Sequence, residues 1–241
     1  MQQRKMSSSI GRMRFYRKNS LLALVIAVAG VLSLIAQQPR SIPEEIEWTW
    51  EVRPPHPDSH LPNVLLVGDS ISRNYFPEVT KDLEGVANVY LMASSACVGD
   101  QRLPHQIAEF AAMEQVHFRV VHFNNGMHGW NYSEGEYKAA FPEFLQAVYS
   151  LVDKGGALIW ANTTPVRPGA SNGASNPRIE ERNAIALAYV KRAGVTIDDQ
   201  HALMMLHGDL HEDDVHFNPT GASIQGDQAA SIIRSALLRA R

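Results

Sequence analysis

The chain has little cysteine, and this scarcity limits the chemistry open to it. Of its 241 residues, Cys97 is the one cysteine. A lone thiol can form no disulfide within the chain and cannot by itself build a thiolate metal site. The neighbours of Cys97 are small residues, which indicate a packed turn rather than a reactive thiol. We therefore expect no disulfide framework and no cysteine-based metal centre.

Several signatures of ligand-binding proteins are also absent from the sequence. Neither a Walker A motif nor a G-x-G-x-x-G motif occurs, which argues against nucleotide binding. The net charge is −3 and no basic face lies beyond the N-terminus, so a general nucleic-acid binder is not expected. His207 and His211 lie four residues apart, but Gly208 stands where a zinc protease needs glutamate. We expect neither a metal nor another cofactor.

The N-terminus is the most unusual part of the sequence. Residues 1–18 hold six lysines and arginines and no acid, and residues 19–39 carry no charge. A basic segment followed by an apolar one of this length indicates a signal peptide or a membrane-spanning helix. Leu34 does not fit the small-x-small cleavage pattern of a signal peptide that would end at Ala36. We therefore expect an uncleaved signal-anchor that attaches the chain to a membrane, with the domain outside the cytoplasm. A cleaved signal peptide is the alternative, and it would also export the domain.

Residues 40–62 are rich in proline and are predicted to be a linker. They also contain Trp48 and Trp50, so the alternative is that residues 47–52 pair as an edge strand or pack their tryptophans on the domain. Residues 63–241 are predicted to form a single globular domain of ordinary size.

Within residues 63–241, short apolar runs alternate with amphipathic segments. The runs predict strands at 64–67, 87–92, 118–123, 157–161 and 195–197. The amphipathic segments predict helices at 72–83, 103–113, 134–152, 178–193 and 219–238. Apolar strands that alternate with helices imply a parallel sheet covered on both faces. We therefore expect a three-layer α/β/α fold with a flavodoxin-like parallel sheet.

The first apolar run leads directly into Gly68, Asp69 and Ser70. Ser70 is therefore expected at the carboxyl end of a central strand, the edge at which open α/β sheets bind ligands. It also falls at a helix N-terminus, where free N–H groups and the helix dipole favour a developing anion. The surrounding sequence is not the G-x-S-x-G elbow of α/β-hydrolases. Ser70 is the candidate nucleophile.

A base for this serine is predicted in the loop before the last helix. His216 lies there, and Asp213 precedes it by three residues. A carboxylate at that spacing can hold Nδ1 of the imidazole, which leaves Nε2 free to take the serine proton. Asp213 is the first choice for this orienting acid and Asp214 the second. The alternative is that these residues only form the acidic start of a helix.

Acyl transfer also needs donors for the negative charge that develops on the carbonyl oxygen. The turn after the second strand offers the backbone N–H of Gly99, and glycine permits a close approach. The loop after the third strand offers the side chains of Asn124, Asn125 and His128. An ordinary polar turn is the alternative interpretation of that loop.

Together these motifs resemble the SGNH/GDSL hydrolase superfamily over residues 62–241. The matching features are Gly-Asp-Ser at 68–70, a glycine after the second strand, an Asn/Gly/His loop after the third, and Asp213-x-x-His216. The resemblance implies that Ser70 is the nucleophile, His216 its base and Asp213 the partner of the base. It also implies an oxyanion hole formed by the N–H groups of Ser70 and Gly99 and by one side chain of the third block.

The third block departs from the family pattern. The usual Gly-x-Asn-Asp is Gly-Met-His-Gly at residues 126–129, so the donor is His128, Asn124 or Asn125. The variant is similar to the branch that contains polysaccharide O-acetyltransferases and their esterase relatives. That similarity makes Arg73 a candidate for substrate binding, and Trp130 is a second candidate because an aromatic side chain could line a sugar-binding cleft. The alternatives are a surface ion pair for the arginine and core or rim packing for the tryptophan.

We therefore expect a serine-dependent carboxylic ester hydrolase. Its substrates would be small O-acyl esters, acetyl above all, of a small molecule or of an envelope or extracellular glycan. One alternative is an O-acetyltransferase acting on a polysaccharide. The other is a non-catalytic, exported glycan-binding or scaffold domain of the same fold.

Overall fold

A computed structural model describes residues 41–171 and 173–239. The strands are β1 (Thr49–Val52), β2 (Asn63–Gly68), β3 (Asn88–Ser94), β4 (Phe118–Phe123), β5 (Val152–Ala161) and β6 (Thr196–Asp198). The helices are α1 (Ser70–Asp82), α2 (Arg102–Glu114), α3 (Glu134–Tyr149), α4 (Asn176–Arg192), α5 (Gln200–Met205) and α6 (Pro219–Arg239), with a 3₁₀ turn at Gly208–Leu210.

The six strands form one sheet in the order β1-β3-β2-β4-β5-β6. All neighbouring pairs are parallel except β1 and β3, which are antiparallel. The five parallel strands thus follow the order second-first-third-fourth-fifth of a flavodoxin-like sheet. The chain reverses its winding between β2 and β4, and a crevice is expected at the carboxyl ends of these two strands. The predicted fold class is confirmed.

Helices cover both faces of the sheet because successive side chains of its central strands point in opposite directions. On β2, Val64 and Leu66 pack in the core that includes residues of α1 and α6. Leu65 and Val67 pack in the core that includes residues of α2, α3 and α4. All four side chains are at most 1% exposed. Burying each one stabilises the fold by about 1.5–3 kcal/mol relative to exposure.

The segment before the domain contributes a strand. Residues 49–52 pair with residues 91–94 of β3, so the edge-strand alternative for residues 47–52 is what the structure contains. The predicted segments 1–18 and 19–39 lie outside the described residues. In the described part of the chain, no helix has the length and apolar character needed to cross a membrane. The boundaries at residues 18, 39 and 62 remain predictions.

The region between α3 and β5 differs from the prediction. Helix α3 ends at Tyr149 rather than at residue 152, and β5 begins at Val152 rather than at residue 157. Val152 pairs with Phe118, and the register of β4 against β5 then shifts before Val120. Pairing with β4 therefore extends a strand into residues that the sequence pattern assigned to a helix and a turn. Helix α5 and the 3₁₀ turn fall between residues 197 and 219, where the sequence pattern assigned no helix or strand.

Candidate active site

Ser70 is the first residue of α1 and directly follows the end of β2. Asp69 is the N-cap of the helix, and its carboxylate accepts a hydrogen bond of 2.9 Å from the N–H of Ile71. The first N–H groups of a helix have no acceptor within it, so the N–H of Ser70 remains available to a ligand. The strand end and the cap together hold the serine at the crevice of the sheet.

The loop before α6 brings His216 to this serine. His216 Nε2 lies 2.7 Å from Ser70 Oγ, although the two residues are 146 positions apart in the sequence. His216 Nδ1 lies 2.8 Å from Asp213 Oδ2. With Nδ1 donating to the carboxylate, Nε2 is the acceptor for the serine hydroxyl. The three residues form one continuous hydrogen-bonded chain.

Asp213 is itself held by the backbone of its own loop. Its Oδ1 accepts hydrogen bonds from the N–H groups of Val215 at 2.8 Å and His216 at 2.7 Å. Partial burial acts to raise the pKa of Asp213, but these bonds and the His216 imidazole outweigh it and lower the pKa to about 2. The carboxylate is therefore charged at neutral pH. Asp214, the second choice, instead accepts hydrogen bonds from the N–H and hydroxyl of Ser171.

Gly99 lies in the turn after β3, with a φ of 109° that side chains rarely tolerate. Asn125 supports this turn, since its amide accepts from the N–H of Val98 at 3.0 Å and donates to the carbonyl of Ala96 at 2.9 Å. Both ends of the Asn125 amide thus take part in hydrogen bonds that hold the turn.

Asn124 is also committed to the protein. Its side-chain N–H₂ donates to the carbonyl of Ala161 at 2.6 Å and to the hydroxyl of Thr163 at 3.3 Å. These bonds tie the end of β4 to the end of β5, so both of its donors are used. Of the three predicted side-chain donors, His128 is the one that lines the cleft together with Ser70.

His128 lies in the same cleft as Ser70 and His216. Its Nδ1 is 3.0 Å from Glu44 Oε2, and the ring meets Trp48 edge-on with centroids 5.9 Å apart. Burial lowers the pKa of His128, but the hydrogen bond that Nδ1 donates to Glu44 and the charges of Asp69, Glu44 and Glu47 raise it by more, so the net shift in pKa is upward. The imidazole is therefore biased toward its cationic form.

A buried arginine organises the loop that carries His128. Arg182 of α4 is 1% exposed. Its guanidinium donates to the carbonyl oxygens of Gly126, His128, Gly129 and Tyr132. We did not predict this residue from the sequence. The available signal was an arginine on the buried stripe of α4, in line with Ile179, Ala186 and Val190.

The two predicted substrate-binding residues have different surroundings. The guanidinium of Arg73 lies between the rings of Trp48 and Trp50, at 5.3 and 5.2 Å from their centroids. It therefore joins α1 to the N-terminal segment. Trp130 lines the cleft, and its ring stacks against the guanidinium of Arg182 at 4.1 Å.

The cleft has a volume of about 330 Å³. Its lining includes Glu44, Ser70, Met127, His128, Trp130 and His216. Among the described residues, one group of acidic or histidine side chains is close enough to share a metal ion, namely Glu78, Asp82 and Asp227. It lies on α1 and α6 and contains no residue of the cleft. Cys97 is buried, and burial raises the pKa of its thiol to about 12.

Comparison with known proteins finds solved structures with a similar fold. No family model matches the chain, and no curated protein matches it in sequence. A member of the lipolytic G-D-S-L family from Veillonella parvula matches in structure with a TM-score of 0.57 and 16% identity, covering 70% of this chain and 97% of that one. Its likeness rests on fold rather than on sequence.

Two further solved structures are similar to the same extent. An acetylxylan esterase from Geobacillus stearothermophilus matches with a TM-score of 0.57 and 15% identity, covering 71% of this chain and 94% of that one. The catalytic domain of peptidoglycan O-acetyltransferase A from Streptococcus pneumoniae matches with a TM-score of 0.52 and 16% identity, covering 73% and 94%. The chain therefore has the SGNH hydrolase fold.

Proposed function

We propose that the protein is a serine esterase that removes small acyl groups, acetyl above all, from the hydroxyl groups of a glycan. The observation that carries the proposal is the hydrogen-bonded chain from Ser70 through His216 to Asp213 at the carboxyl edge of the sheet. A serine, a base and an orienting acid in this arrangement are what nucleophilic acyl transfer requires.

In the proposed reaction, Ser70 Oγ attacks the ester carbonyl carbon while His216 Nε2 takes the hydroxyl proton. The tetrahedral intermediate collapses as His216 returns the proton to the departing sugar oxygen. Water then attacks the acyl-enzyme and gives a proton to His216. As the ester bond to Ser70 breaks, His216 returns this proton to Ser70 Oγ, which releases the carboxylic acid and restores the free enzyme. Asp213 keeps the imidazole in the required tautomer and stabilises its cationic form.

The oxyanion of the intermediate would be held by the N–H groups of Ser70 and Gly99 and by Nε2 of His128. Support for His128 over Asn124 and Asn125 comes from the hydrogen bonds that already occupy both asparagine amides. One such donor is worth about 10²–10³ in rate.

The substrate class rests on the size of the cleft and on the relatives of the fold. A cleft of about 330 Å³ is at the small end of ligand sites and suits a short acyl group with one sugar ring. The relatives include an acetylxylan esterase and a peptidoglycan O-acetyltransferase. Transfer of the acyl group to a sugar hydroxyl instead of water is the second candidate function, and the similarity in fold to the peptidoglycan O-acetyltransferase supports it.

We also propose that the domain works outside the cytoplasm, held to a membrane by residues 19–39. The basic residues 1–18 and the uncharged stretch after them support this location. An envelope or extracellular glycan is then the accessible source of acyl esters.

The test compares the full-length protein with its Ser70→Ala variant on p-nitrophenyl acetate and on acetylated xylan. We expect the variant to lose at least about 10³-fold in kcat/KM and to escape labelling by a serine-directed phosphonate. Ser231→Ala, which removes an exposed serine on α6, should behave as the wild type. Activity that persists in Ser70→Ala, or an inactive and unlabelled wild type, would overturn the proposal.

A further inference from the structure

The segment before the domain reaches into the proposed active site. It is fixed on the domain by the pairing of β1 with β3 and by side chains on either side of it. Arg102 of α2 forms an ion pair of 2.7 Å with Glu47, and Ser95 donates to the same carboxylate at 2.7 Å. Tyr132 accepts a hydrogen bond from the N–H of Ile42. Residues 41–52 therefore have a defined path beside the cleft.

Glu44 lies on this path and contacts the loop of the third block with both carboxylate oxygens. Oε2 is 3.0 Å from His128 Nδ1, and Oε1 accepts the N–H of Gly129 at 2.9 Å. Gly129 has a φ of 73°, and a side chain there would clash with Cys97 below the loop. The glycine thus lets the loop pack closely against Cys97. Glu44, with one contact to the ring of His128 and one to the backbone of Gly129, fixes the position of the His128 imidazole.

This contact repeats, on the other side of the cleft, the arrangement of Asp213 and His216. In each case a carboxylate holds Nδ1, so Nε2 is the nitrogen left for the reaction. The surroundings differ, however. The negative groups facing His128 are Glu44 and Glu47 from the N-terminal segment and Asp69 from the turn before α1, with His216 across the same cleft.

We propose that Glu44 is a positioning residue that holds His128 as an imidazolium, with Nε2 as a charged donor to the oxyanion. The inference rests on the proposed esterase function. A cationic donor is a stronger hydrogen-bond partner for an oxyanion than the neutral amide it replaces in the family pattern. The protein then uses two His–carboxylate pairs. In one, the neutral imidazole of His216 accepts the serine proton, and in the other, the cationic imidazole of His128 stabilises the intermediate.

The two pairs make different demands on pH. His216 must be neutral to accept a proton, which gives activity an acidic limb. His128 must be protonated, which gives it an alkaline limb. Because the charge of Glu44 raises the pKa of His128, its removal should move the alkaline limb to lower pH and leave the acidic limb in place.

The experiment measures kcat and KM against pH for the full-length protein and its Glu44→Gln variant. We expect kcat to fall by about 10–100-fold at the wild-type optimum, less than the loss of a whole donor, with KM changed by less than about threefold. The alkaline limb should shift to lower pH. In parallel, the His128 ring signal, assigned by comparison with His128→Gln, should titrate at lower pH by NMR. Glu51→Gln, an exposed change in β1, is the matched control.

A second arm separates positioning from folding. His128→Asn restores the residue usual in the family, so adding Glu44→Gln to it should cost no further kcat. Where Glu44→Gln does not fold, Glu44→Asp keeps the charge but cannot span both contacts, so it should retain the alkaline limb with a reduced kcat. A Glu44→Gln enzyme with wild-type kcat, pH profile and His128 titration would overturn the inference, as would wild-type kcat in Glu44→Asp. If Ser70→Ala is inactive in the same assays, the proposed esterase function stands even when one of these outcomes overturns the role of Glu44.

Discussion

Arg182 offers the sharpest test of how the loop at residues 126–132 is held. Its guanidinium donates at 2.8 and 2.9 Å to the carbonyls of His128 and Gly129, and at 3.1 and 3.4 Å to those of Gly126 and Tyr132. The side chain is 1% exposed, so water has little access to these carbonyls. Replacing it with methionine keeps much of the volume and removes every donor.

The cost of this replacement follows from the bonds lost. Each of the two shorter bonds has a charged donor and is worth about 1.5–3 kcal/mol. The two longer bonds contribute less, and water that enters the loop recovers part of the total. We therefore expect Arg182→Met to lower the free energy of unfolding by about 3–5 kcal/mol. That is a large part of the 5–15 kcal/mol that stabilises an ordinary domain.

Urea denaturation of the full-length protein measures this change. The midpoint should fall while the slope against urea stays constant. Arg182→Lys keeps the charge with fewer donors, and we expect an intermediate midpoint. Arg192→Met is the matched control on the same helix, because Arg192 is exposed. Its guanidinium lies 5.1 Å from the centre of the Tyr189 ring, and the loss of this contact should cost about 0.5–1 kcal/mol. A stability of Arg182→Met within about 1 kcal/mol of the wild type would refute the reasoning.

Two further predictions concern the cleft and the turn beneath it. Asp213→Asn should lower kcat on p-nitrophenyl acetate by about 10²–10⁴-fold with little change in KM, because asparagine favours the wrong tautomer of His216. A loss of kcat below about tenfold in steady-state kinetics would argue against the orienting role of Asp213. Burial raises the pKa of Cys97 to about 12, so at pH 8 iodoacetamide should label the folded protein far more slowly than the urea-unfolded protein. Equal labelling rates would show that the thiol is accessible and acidic.

Much of the fold and part of the site could be predicted from the sequence because their signals are local. The strand periodicity fixes which side chains face each layer, and the parallel sheet brings strand ends to a common edge. The Gly-Asp-Ser turn and the Asp213-x-x-His216 loop each lie within a few residues, so their geometry needs little beyond the sheet itself. The 2.7 Å approach of Ser70 and His216 agrees with that expectation.

The remaining parts depend on contacts between distant segments. Glu44 and His128 are 84 residues apart, and their pairing follows from the path of residues 41–52. For this segment the sequence predicted a linker, or an edge strand at residues 47–52, and neither prediction indicated what Glu44 contacts. The choice among Asn124, Asn125 and His128 depended on which amides are already bonded within the protein. Such bonding is a property of the packed turns rather than of residue type. Arg182 had a sequence signal, a charge on an apolar stripe, but its carbonyl partners lie in another segment.

Strand β1 also affects the tendency of the protein to aggregate at high concentration. It covers the edge of β3, a strand in which all seven residues are buried. An uncovered edge of that kind presents free N–H and C=O groups to other chains and promotes aggregation. The new edge is only four residues long, and Pro54 and Pro55, which have no N–H to donate, lie just beyond its end at Val52. The segment that carries Glu44 therefore protects the sheet from pairing with a second molecule, and truncation at residue 63 would remove this protection together with the Glu44 contact.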